Sequence, residues 1–196
     1  MSEINIAIFA SGNGSNAEKF FAHFRNHDSV KISCLLSNNA LAFALTRAKK
    51  NQVPTFTFNR QEFRETETVL HYLQDKSITH IVLAGFMWLI PQYLIEAYPN
   101  QIVNIHPALL PKYGGKGMYG DHVHKAVIEN KEHESGITIH YVNEIYDDGK
   151  IIFQGRCKVL PEDDPDTLAQ RIHQLEYEYY PKVVEAVVLN EKIPAQ

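Results

Sequence analysis

Near its beginning the sequence reads Ile4-Asn-Ile-Ala-Ile-Phe-Ala10 and then Ser11-Gly-Asn-Gly-Ser-Asn16. The first run is short and mostly apolar, which is typical of a buried β-strand. The second run is a glycine-rich turn, and the residues from Ala17 to Phe24 have the character of a helix. A strand, a glycine turn and a helix in this order open a doubly wound α/β fold.

Strand-like and helical segments alternate along the rest of the chain. Further strands are predicted at 30–36, 54–58, 78–85 and 102–106, and further helices at 40–51, 62–76, 91–97 and 121–129. Two alternating runs, 136–142 and 150–160, lie close together and predict an antiparallel pair. We therefore predict a Rossmann-like, mostly parallel sheet with an antiparallel C-terminal strand pair and a long C-terminal helix. All of it is expected to form one domain over residues 1–196.

Helix ends and faces are predicted from local signals. Asp121 is a candidate N-cap for the helix that follows it. The last helix is expected to start at Asp163-Asp-Pro-Asp-Thr167, where a proline lies in the first turn. Its apolar stripe is predicted to contain Leu168, Ile172, Leu175, Tyr179, Val183 and Val187.

Composition and charge exclude several classes of protein. The chain has 196 residues, 44% hydrophobic and 21% charged, and a net charge of −4. The negative net charge argues against a nucleic-acid-binding protein, but it is compatible with a local basic pocket for a phosphate. Cys34 and Cys157 are too few for a disulfide framework and are expected to be reduced core thiols. The N-terminus, Met1 to Asn5, lacks a signal peptide and enters a strand at once, and no apolar run could span a bilayer. We expect a cytoplasmic protein without membrane contacts.

The glycine turn matches the loose dinucleotide pattern G-x-G-x-x-A as Gly12-Asn-Gly-Ser-Asn-Ala17. Backbone N–H groups and a helix N-terminus face an anion at such a turn. A nicotinamide enzyme would place an acid at the end of the second strand to hold the ribose hydroxyls. That position reads Ser37-Asn-Asn39, with no carboxylate. The pattern therefore favours the phosphate of a small substrate over a dinucleotide or a merely structural turn.

Asn104 and His106 are two residues apart on a predicted strand that stops at Pro107. Side chains at i and i+2 of a strand point to the same face, so both are expected at one site. Histidine is suited to proton transfer near neutral pH, and asparagine can donate to a developing oxyanion. An aspartate from the Tyr146-Asp-Asp-Gly149 turn could orient the histidine or tune its charge. This combination predicts acyl-type transfer without a covalent intermediate.

Four other features have both a structural and a functional interpretation. The segment 86–90 is either core or one wall of a pocket for a flat ring, and the glycine-rich loop at 111–120 is either a surface loop or a lid. Glu176 is either a solvated charge or a pocket acid. His122 and His124 do not face each other on a helix and no metal motif accompanies them, so no metal site is predicted.

Together these motifs carry a resemblance to a known family. Ser11-Gly-Asn-Gly-Ser-Asn16, Leu83-Ala-Gly-Phe-Met87, Asn104-Ile-His-Pro-Ala-Leu-Leu-Pro-Lys112 and the Asp147 turn occur in that family's order and spacing. Along nearly its full length the chain resembles the folate-dependent phosphoribosylglycinamide formyltransferase family of purine synthesis. The glycine loop alone would be a weak signal, whereas the set is specific to folate formyltransferases.

The resemblance implies transfer of a formyl group from 10-formyltetrahydrofolate, a co-substrate, to the amine of 5'-phosphoribosylglycinamide. The amine would attack directly through a tetrahedral intermediate. His106 is implied as the general acid/base, Asn104 as the donor to the oxyanion, and Asp147 as the carboxylate that sets the charge of His106. Implied substrate contacts are Gly14, Ser15, Asn16 and Glu176, and implied folate contacts are Met87, Trp88, Leu89, Ile90, Asn104, Asn143, Glu144 and Asp147. The implied partners are small molecules, no metal is implied, and a monomer or homodimer is expected.

Three features depart from the family pattern. Trp88 stands where the family often has arginine, and His173 stands where many members have lysine or glutamine. The loop at 114–120 is longer than the Pro-Gly loop common in bacterial members. None of these departures involves Asn104, His106 or Asp147, the implied catalytic residues.

Two kinds of alternative were weighed against this family. Methionyl-tRNA formyltransferase, sugar-nucleotide formyltransferase and formyltetrahydrofolate hydrolase have the same catalytic core. The tRNA enzyme has an extra C-terminal domain and an Arg-rich loop after Leu-Leu-Pro, and the hydrolase has an extra N-terminal domain. This sequence ends at Gln196, has Lys-Tyr-Gly-Gly in that loop and starts on its first strand, which disfavours both. A catalytically silent phosphate-binding module is disfavoured by the joint presence of Asn104, His106 and Asp147.

Overall fold

The computed structural model describes residues 3–196, and its contacts divide the chain into two compact units. The first unit ends at Val103 and the second runs from Asn104 to Gln196. The single domain expected over residues 1–196 stays a prediction. The expected entry into a strand at the N-terminus is seen from Ile4 onward, whereas Met1 and Ser2 lie outside the described residues.

The first unit is a parallel sheet whose strands alternate with helices. Its elements are β1 (Ile4–Phe9), α1 (Ser15–His23), β2 (Val30–Ser37), α2 (Phe43–Lys50), β3 (Thr55–Thr57), α3 (Arg60–Arg64), α4 (Thr68–Asp75), β4 (His80–Leu83) and α5 (Gln92–Ala97). The strand order is β3-β2-β1-β4, and each of these pairings is parallel. The chain moves from β1 to one side and later returns to its other side at β4. This makes β1 and β4 a topological switch point, where doubly wound folds bind ligands beyond the strand ends.

Strand β1 is buried on both faces, as its apolar sequence predicts. The residues from Ile6 to Ala10 have no exposed surface. The ring centroid of Phe9 lies 6.0 Å from that of Phe58 and 5.4 Å from that of Phe86. Because this packing fixes the carboxyl end of β1, the glycine loop that follows starts from a rigid position.

Gly14 ends that loop and precedes α1. Its φ is +76°, and a Cβ atom there would lie 2.6 Å from the Cβ of Ala44. We expect Gly14→Ala to lower the free energy of unfolding by about 2 kcal/mol, because the left-handed backbone disfavours a side chain and the methyl group collides. Gly12→Ala is the matched control, since nothing lies within 4 Å of a Cβ at Gly12. Urea denaturation would measure both variants, and equal losses would contradict this account of the turn.

The second unit contains an antiparallel strand pair and a long helix. Its elements are β5 (Ile102–His106), whose first two residues belong to the first unit, α6 (Asp121–Glu129), β6 (Glu134–Tyr141), β7 (Ile151–Lys158) and α7 (Pro165–Leu189). The strand order is β5-β6-β7, and β6 pairs with β7 antiparallel, with Ile139 opposite Phe153. A capping box starts α7, because Asp164 accepts from the N–H of Thr167 at 2.8 Å and Thr167 Oγ1 accepts from the N–H of Asp164 at 3.0 Å. The strand pair and the helix start agree with the sequence predictions.

Two predictions about helices were wrong, one about the continuity of a helix and one about an N-cap. The helix expected at 62–76 is two helices, α3 and α4. Between them the hydroxyl of Thr66 donates to the O of Glu62 at 3.0 Å and accepts from the N–H of Thr68 at 3.3 Å, so local side-chain bonds replace the helical ladder. Asp121 is the first residue of α6 and not its cap. The cap position is Gly120, whose φ of 49° and ψ of −128° favour glycine.

The apolar stripe of α7 was predicted only in part. Leu168, Ile172 and Val183 are buried, whereas Leu175, Tyr179 and Val187 are half-buried. Glu176 and Tyr180 occupy buried positions instead. The burial of Glu176 excludes the solvated charge, which was one of its two interpretations, and leaves the pocket acid.

Both cysteines are free thiols. Cys34 is buried and Cys157 is half-buried. Burial raises the pKa of Cys34 to about 12, so its sulfur is a thiol at neutral pH. None of the helices in the described part of the chain combines the length and the apolar character that a membrane crossing requires.

Candidate active site

The glycine loop lies at the carboxyl end of β1, beside the residues that follow β4. The N–H of Ser11 donates to the O of Gly85 at 3.0 Å, and Ser11 Oγ accepts from the N–H of Met87 at 3.0 Å. Helix α1 begins directly after the loop at Ser15, so the N–H groups of its first turn have no partner within the helical ladder. Such a helix start favours an anion. The predicted phosphate contacts Gly14, Ser15 and Asn16 therefore lie at a position suited to a phosphate.

The residues after β2 contact the same loop. The amide of Asn39 donates to the O of Ser11 at 3.3 Å, and the hydroxyl of Ser37 donates to the O of Asn39 at 3.1 Å. The end of β2 thus presents hydroxyl and amide groups where a nicotinamide enzyme would present a carboxylate. These contacts thus favour the phosphate of a small substrate over a dinucleotide, as the sequence does.

Arg47 on α2 stabilises the glycine loop by hydrogen bonds. Its Nε donates to the O of Asn13 at 3.0 Å and its Nη2 donates to Oδ1 of the same residue at 2.9 Å. Its Nη1 forms an ion pair with Glu18, and its guanidinium lies 4.9 Å from the ring centroid of Phe43. Arg47 was not predicted as a site residue, because the loop that it contacts lies 34 residues away in the sequence.

The segment predicted to contact folate follows β4. Met87 is 41% exposed, Trp88 and Leu89 are half-buried, and Ile90 is buried. The ring of Trp88 lies 5.7 Å from that of Phe63, centroid to centroid. Met87 and Leu89 thus present apolar surface, while the ring of Trp88 extends the aromatic core of the first unit and Ile90 is buried. This arrangement fits an apolar wall for a ring, and Trp88 adds packing where the family often has an arginine.

The second unit brings together the three predicted catalytic residues. Asn104 and His106 belong to β5, and Asp147 lies in the turn between β6 and β7. His106 Nδ1 lies 3.5 Å from Asp147 Oδ2, and Asn104 Nδ2 lies 3.5 Å from Asp147 Oδ1. The side chains of His106 and Asp147 are only 4% and 11% exposed. One carboxylate therefore faces both residues in a largely dry environment.

Backbone contacts hold Asp147 in place. Its φ is +56°, and its Oδ2 accepts from the N–H of Gly115 at 3.0 Å. Gly149 completes the turn against β6, because a Cβ there would lie 1.7 Å from the O of Tyr141. Only glycine fits at that position, so the end of the turn is fixed on the strand.

The carbonyl of Tyr113 determines the tautomer of His106. The distance from His106 Nε2 to the O of Tyr113 is 2.7 Å. A carbonyl oxygen only accepts, so Nε2 carries a proton and Nδ1 is the atom that gains and loses one. Burial lowers the pKa of His106, while Asp147 and the Tyr113 carbonyl oppose this effect and His140 adds to it. His106 is therefore mostly neutral at pH 7, and its Nδ1 is able to accept a proton.

Asp147 carries the negative charge of this site. Burial would raise its pKa, but the contacts with His140 and His106 and the hydrogen bond from the N–H of Gly115 hold the pKa below its usual value. Asp147 is consequently ionised at neutral pH. An ionised carboxylate beside Nδ1 stabilises the imidazolium that forms when His106 takes up a proton.

His140 belongs to the same cluster, although the sequence analysis did not place it there. It is 2% exposed on β6, with Nε2 3.2 Å from Asn104 Nδ2 and 3.8 Å from Asp147 Oδ1. Its Nδ1 lies 2.8 Å from the O of Tyr141, which only accepts, so Nε2 is free to accept from the Asn104 amide. His140 thereby orients the Asn104 side chain. Alternation along β6 indicated the face of His140, but strand pairing was needed to place it beside Asn104.

The other predicted site residues of the second unit lie in the β6–β7 turn and on α7. Asn143 Oδ1 accepts from the N–H of Ile145 at 3.0 Å, and its Nδ2 donates to Asp148 at 3.2 Å. Glu144 is exposed. Glu176 is buried on α7, where burial and the charge of Glu176 raise the pKa of Tyr180. The hydrogen bond from Asn143 places Asp148 within the turn itself.

The histidines of α6 do not form a metal site. His122 is exposed and its ring stacks edge-on against Tyr119, with centroids 5.2 Å apart. His124 is buried, and within residues 3–196 its Nδ1 has no hydrogen-bond partner. Across that same range, no cluster of three or more His, Cys, Asp or Glu side chains is arranged to hold a metal ion.

Sequence comparison places the chain in a family. A family model described as Formyl transferase matches residues 4–184, and the chain belongs to this formyl transferase family. Relatives within it are named phosphoribosylglycinamide formyltransferase. One from Haemophilus influenzae is 36% identical over 185 residues, covering 92% of this chain and 85% of the relative. A chloroplastic one from Arabidopsis thaliana is 37% identical over 188 residues, covering 93% of this chain. The chain spans 64% of the length of that plant relative.

Solved structures agree with this placement. A phosphoribosylglycinamide formyltransferase from Anaplasma phagocytophilum superposes with a TM-score of 0.86 at 34% identity, covering 96% of this chain and 89% of that one. The enzyme of that name from Streptococcus pneumoniae gives a TM-score of 0.83 at 34% identity, covering 96% of this chain and 99% of that one. The family and the fold class predicted from the sequence are confirmed.

Proposed function

We propose that the protein transfers a formyl group from 10-formyltetrahydrofolate to the amine of 5'-phosphoribosylglycinamide in purine biosynthesis. The observation that carries this proposal is the cluster of Asn104, His106 and Asp147, in which one carboxylate lies 3.5 Å from both other side chains. Relatives named for this reaction, 36% and 33% identical and with 85% and 96% of their length matched, support the choice of substrates.

The catalytic roles follow from the protonation states. Neutral His106 takes up a proton through Nδ1 as the amine attacks the formyl carbon, and later returns it to the leaving nitrogen. Asp147 stabilises the charged ring between these two steps. The amide of Asn104 donates to the oxyanion of the tetrahedral intermediate, which requires that it turn from His140 toward the substrate. No covalent bond to the protein is needed.

Substrate contacts are proposed in each unit. In the first unit, the backbone of Gly14, Ser15 and Asn16 holds the substrate phosphate, and the wall Met87, Trp88, Leu89 and Ile90 holds the folate ring. In the second unit, Asn143 and Glu144 contact the folate, together with Asn104 and Asp147, and Glu176 contacts the ribonucleotide. The bound folate supplies the activated formyl group.

A direct assay tests this function. Purified protein is mixed with 10-formyltetrahydrofolate and phosphoribosylglycinamide, and formylated product is measured beside reactions with an amino sugar nucleotide or water alone as acceptor. We expect rapid product formation with the ribonucleotide only. Formylation of the amino sugar, or folate hydrolysis without an acceptor, would replace the proposal with one of the related activities.

Arg47 gives a prediction about the phosphate loop. We expect Arg47→Ala to raise the KM for the ribonucleotide about five- to tenfold with little change in kcat, because two hydrogen bonds that fix Asn13 are lost. Arg25→Ala is the control, since this exposed side chain donates to Asn51 at the end of α2 and not to the glycine loop. Steady-state kinetics with each substrate varied in turn would measure both. A rise in the KM for folate alone would place Arg47 outside phosphate binding.

The proposed partners are the two small-molecule substrates, without nucleic acid or membrane. A net charge of −4 supports the absence of nucleic-acid binding. We propose a cytoplasmic monomer or homodimer, consistent with the free thiols Cys34 and Cys157. Sedimentation at several protein concentrations would decide between the two assembly states.

A further inference from the structure

The segment from Tyr113 to Gly115 contacts both ionisable partners of the proposed proton transfer. The carbonyl of Tyr113 accepts from His106 Nε2 at 2.7 Å, and the N–H of Gly115 donates to Asp147 at 3.0 Å. Tyr113 has a φ of +57°, a left-handed conformation that non-glycine residues rarely adopt. Contacts elsewhere must therefore hold the carbonyl in place.

Glu132 provides such contacts. It lies between α6 and β6, and its Oε1 accepts from the hydroxyl of Tyr113 at 3.0 Å and from Nζ of Lys112 at 2.9 Å. The side chain of Lys112 is 68% exposed, whereas that of Glu132 is 24% exposed. The hydrogen bond from the Tyr113 hydroxyl to Glu132 is thus less exposed to solvent, and more directional, than the ion pair of Glu132 with Lys112. Hydrogen bonds from Lys112 and Tyr113 also hold the pKa of Glu132 below its usual value, so the acceptor is charged.

We propose that Glu132 is a positioning residue for formyl transfer. By holding the hydroxyl of Tyr113, it keeps the carbonyl of Tyr113 on Nε2 of His106 and so leaves Nδ1 as the proton-accepting atom beside Asp147. The proposal rests on the proposed role of His106 in the reaction. Glu132 acts through Tyr113 and has no part in binding either substrate.

The physical consequence is a change in the population of one tautomer. Without the tether, the segment relaxes from its left-handed conformation and the carbonyl no longer favours a proton on Nε2. A molecule whose neutral His106 carries its proton on Nδ1 cannot accept another proton at that atom. The kcat therefore falls in proportion to the fraction of molecules in that tautomer. Substrate affinity is expected to change little, because neither Glu132 nor Tyr113 is a proposed substrate contact.

Kinetics of Glu132→Ala and Tyr113→Phe test this account. We expect each variant to lower kcat about five- to tenfold, with both KM values within about twofold, as for the loss of one positioning hydrogen bond. Glu132→Gln should retain most activity, because its amide oxygen still accepts from the phenol. The double variant Tyr113→Phe with Glu132→Ala should be no slower than the slower single variant, since both changes remove the same bond.

The control is Glu134→Ala, which removes an exposed carboxylate two residues away that pairs with Arg156. It should match the unchanged protein. Multiplied losses in the double variant, or a normal kcat in Tyr113→Phe, would overturn the proposal. The Tyr113→Phe variant keeps the test valid even where Glu132→Ala fails to fold.

A measurement without turnover separates this proposal from the proposed function. Nitrogen-15 chemical shifts of the His106 ring report its tautomer and titration in the protein alone. The titrating groups that face His106 are Asp147, His140 and His124. We expect the Nε2–H tautomer in the unchanged protein, and a mixture with a lower titration midpoint in Tyr113→Phe. An unchanged tautomer there would overturn the positioning role, whereas a protein without formyl transfer but with the expected shifts would overturn only the function.

Discussion

Replacing His106 with alanine is expected to lower the turnover of formyl transfer by at least ~10²-fold, and by up to ~10³-fold. The reason is that the variant loses the nitrogen that lies 3.5 Å from Asp147 Oδ2 and that takes up the proton of the attacking amine in the proposed mechanism. General acid–base catalysis by one side chain contributes about this much. Initial rates at saturating substrate would measure the loss.

The matched control for this variant is His122→Ala. His122 is an exposed histidine of the second unit, whose ring contacts Tyr119. Its replacement should leave turnover within about twofold, as is usual for an exposed side chain away from the site. Thermal unfolding of both variants would show that the fold is retained. Turnover of His106→Ala close to that of His122→Ala would remove His106 from the chemistry.

Replacing Asp147 with asparagine is expected to be nearly as damaging, with a loss of ~10²-fold or more in turnover. Asparagine keeps the size of the side chain and is able to accept from the N–H of Gly115, but it has no charge to stabilise the imidazolium. The adjacent Asp148→Asn is a close control, because that carboxylate bonds Asn143 within the turn. Equal activity of the two variants would contradict the assignment of Asp147.

The same variant should change the pH dependence in a defined direction. A base must be neutral to act, so kcat/KM is expected to fall as the pH drops through the pKa of His106, which lies below 6.5. Asp147 raises that pKa, and its removal lowers it further. The acidic side of the pH profile of kcat/KM should therefore lie at lower pH in Asp147→Asn, and the maximum of that profile should be lower. A shift of this acidic side to higher pH would show that another group controls it.

Much of the fold was predictable because its signals are local. The apolar run before Gly12 and the helix-start signal at 163–167 each depend on neighbouring residues, and the structure contains both elements where they were expected. The break between α3 and α4 was not predicted, because the hydroxyl of Thr66 competes with the helical ladder, and periodicity does not measure that competition.

The candidate site was predictable only where side-chain type carries the signal. Asn104 and His106 share a strand face by their spacing, the turn suggested an aspartate, and the resemblance implied Asp147. The carbonyl of Tyr113 was not predictable, since every residue has a carbonyl and only the tertiary fold places this one on His106. The contact of His140 with Asn104 likewise depends on strands 36 residues apart.

The turn that carries Asp147 has a consequence for how such a protein can diversify. Gly149 fits against Tyr141 with no room for a side chain, so the carboxylate end of the turn has one geometry. Glu144, Ile145 and Tyr146, just before it, are exposed. Mutations there can change what the loop contacts while the carboxylate of Asp147 keeps its position. Because Glu144 is a proposed folate contact, Ile145 and Tyr146 are the positions at which evolution or design can vary substrate contacts at the smallest expected cost in turnover.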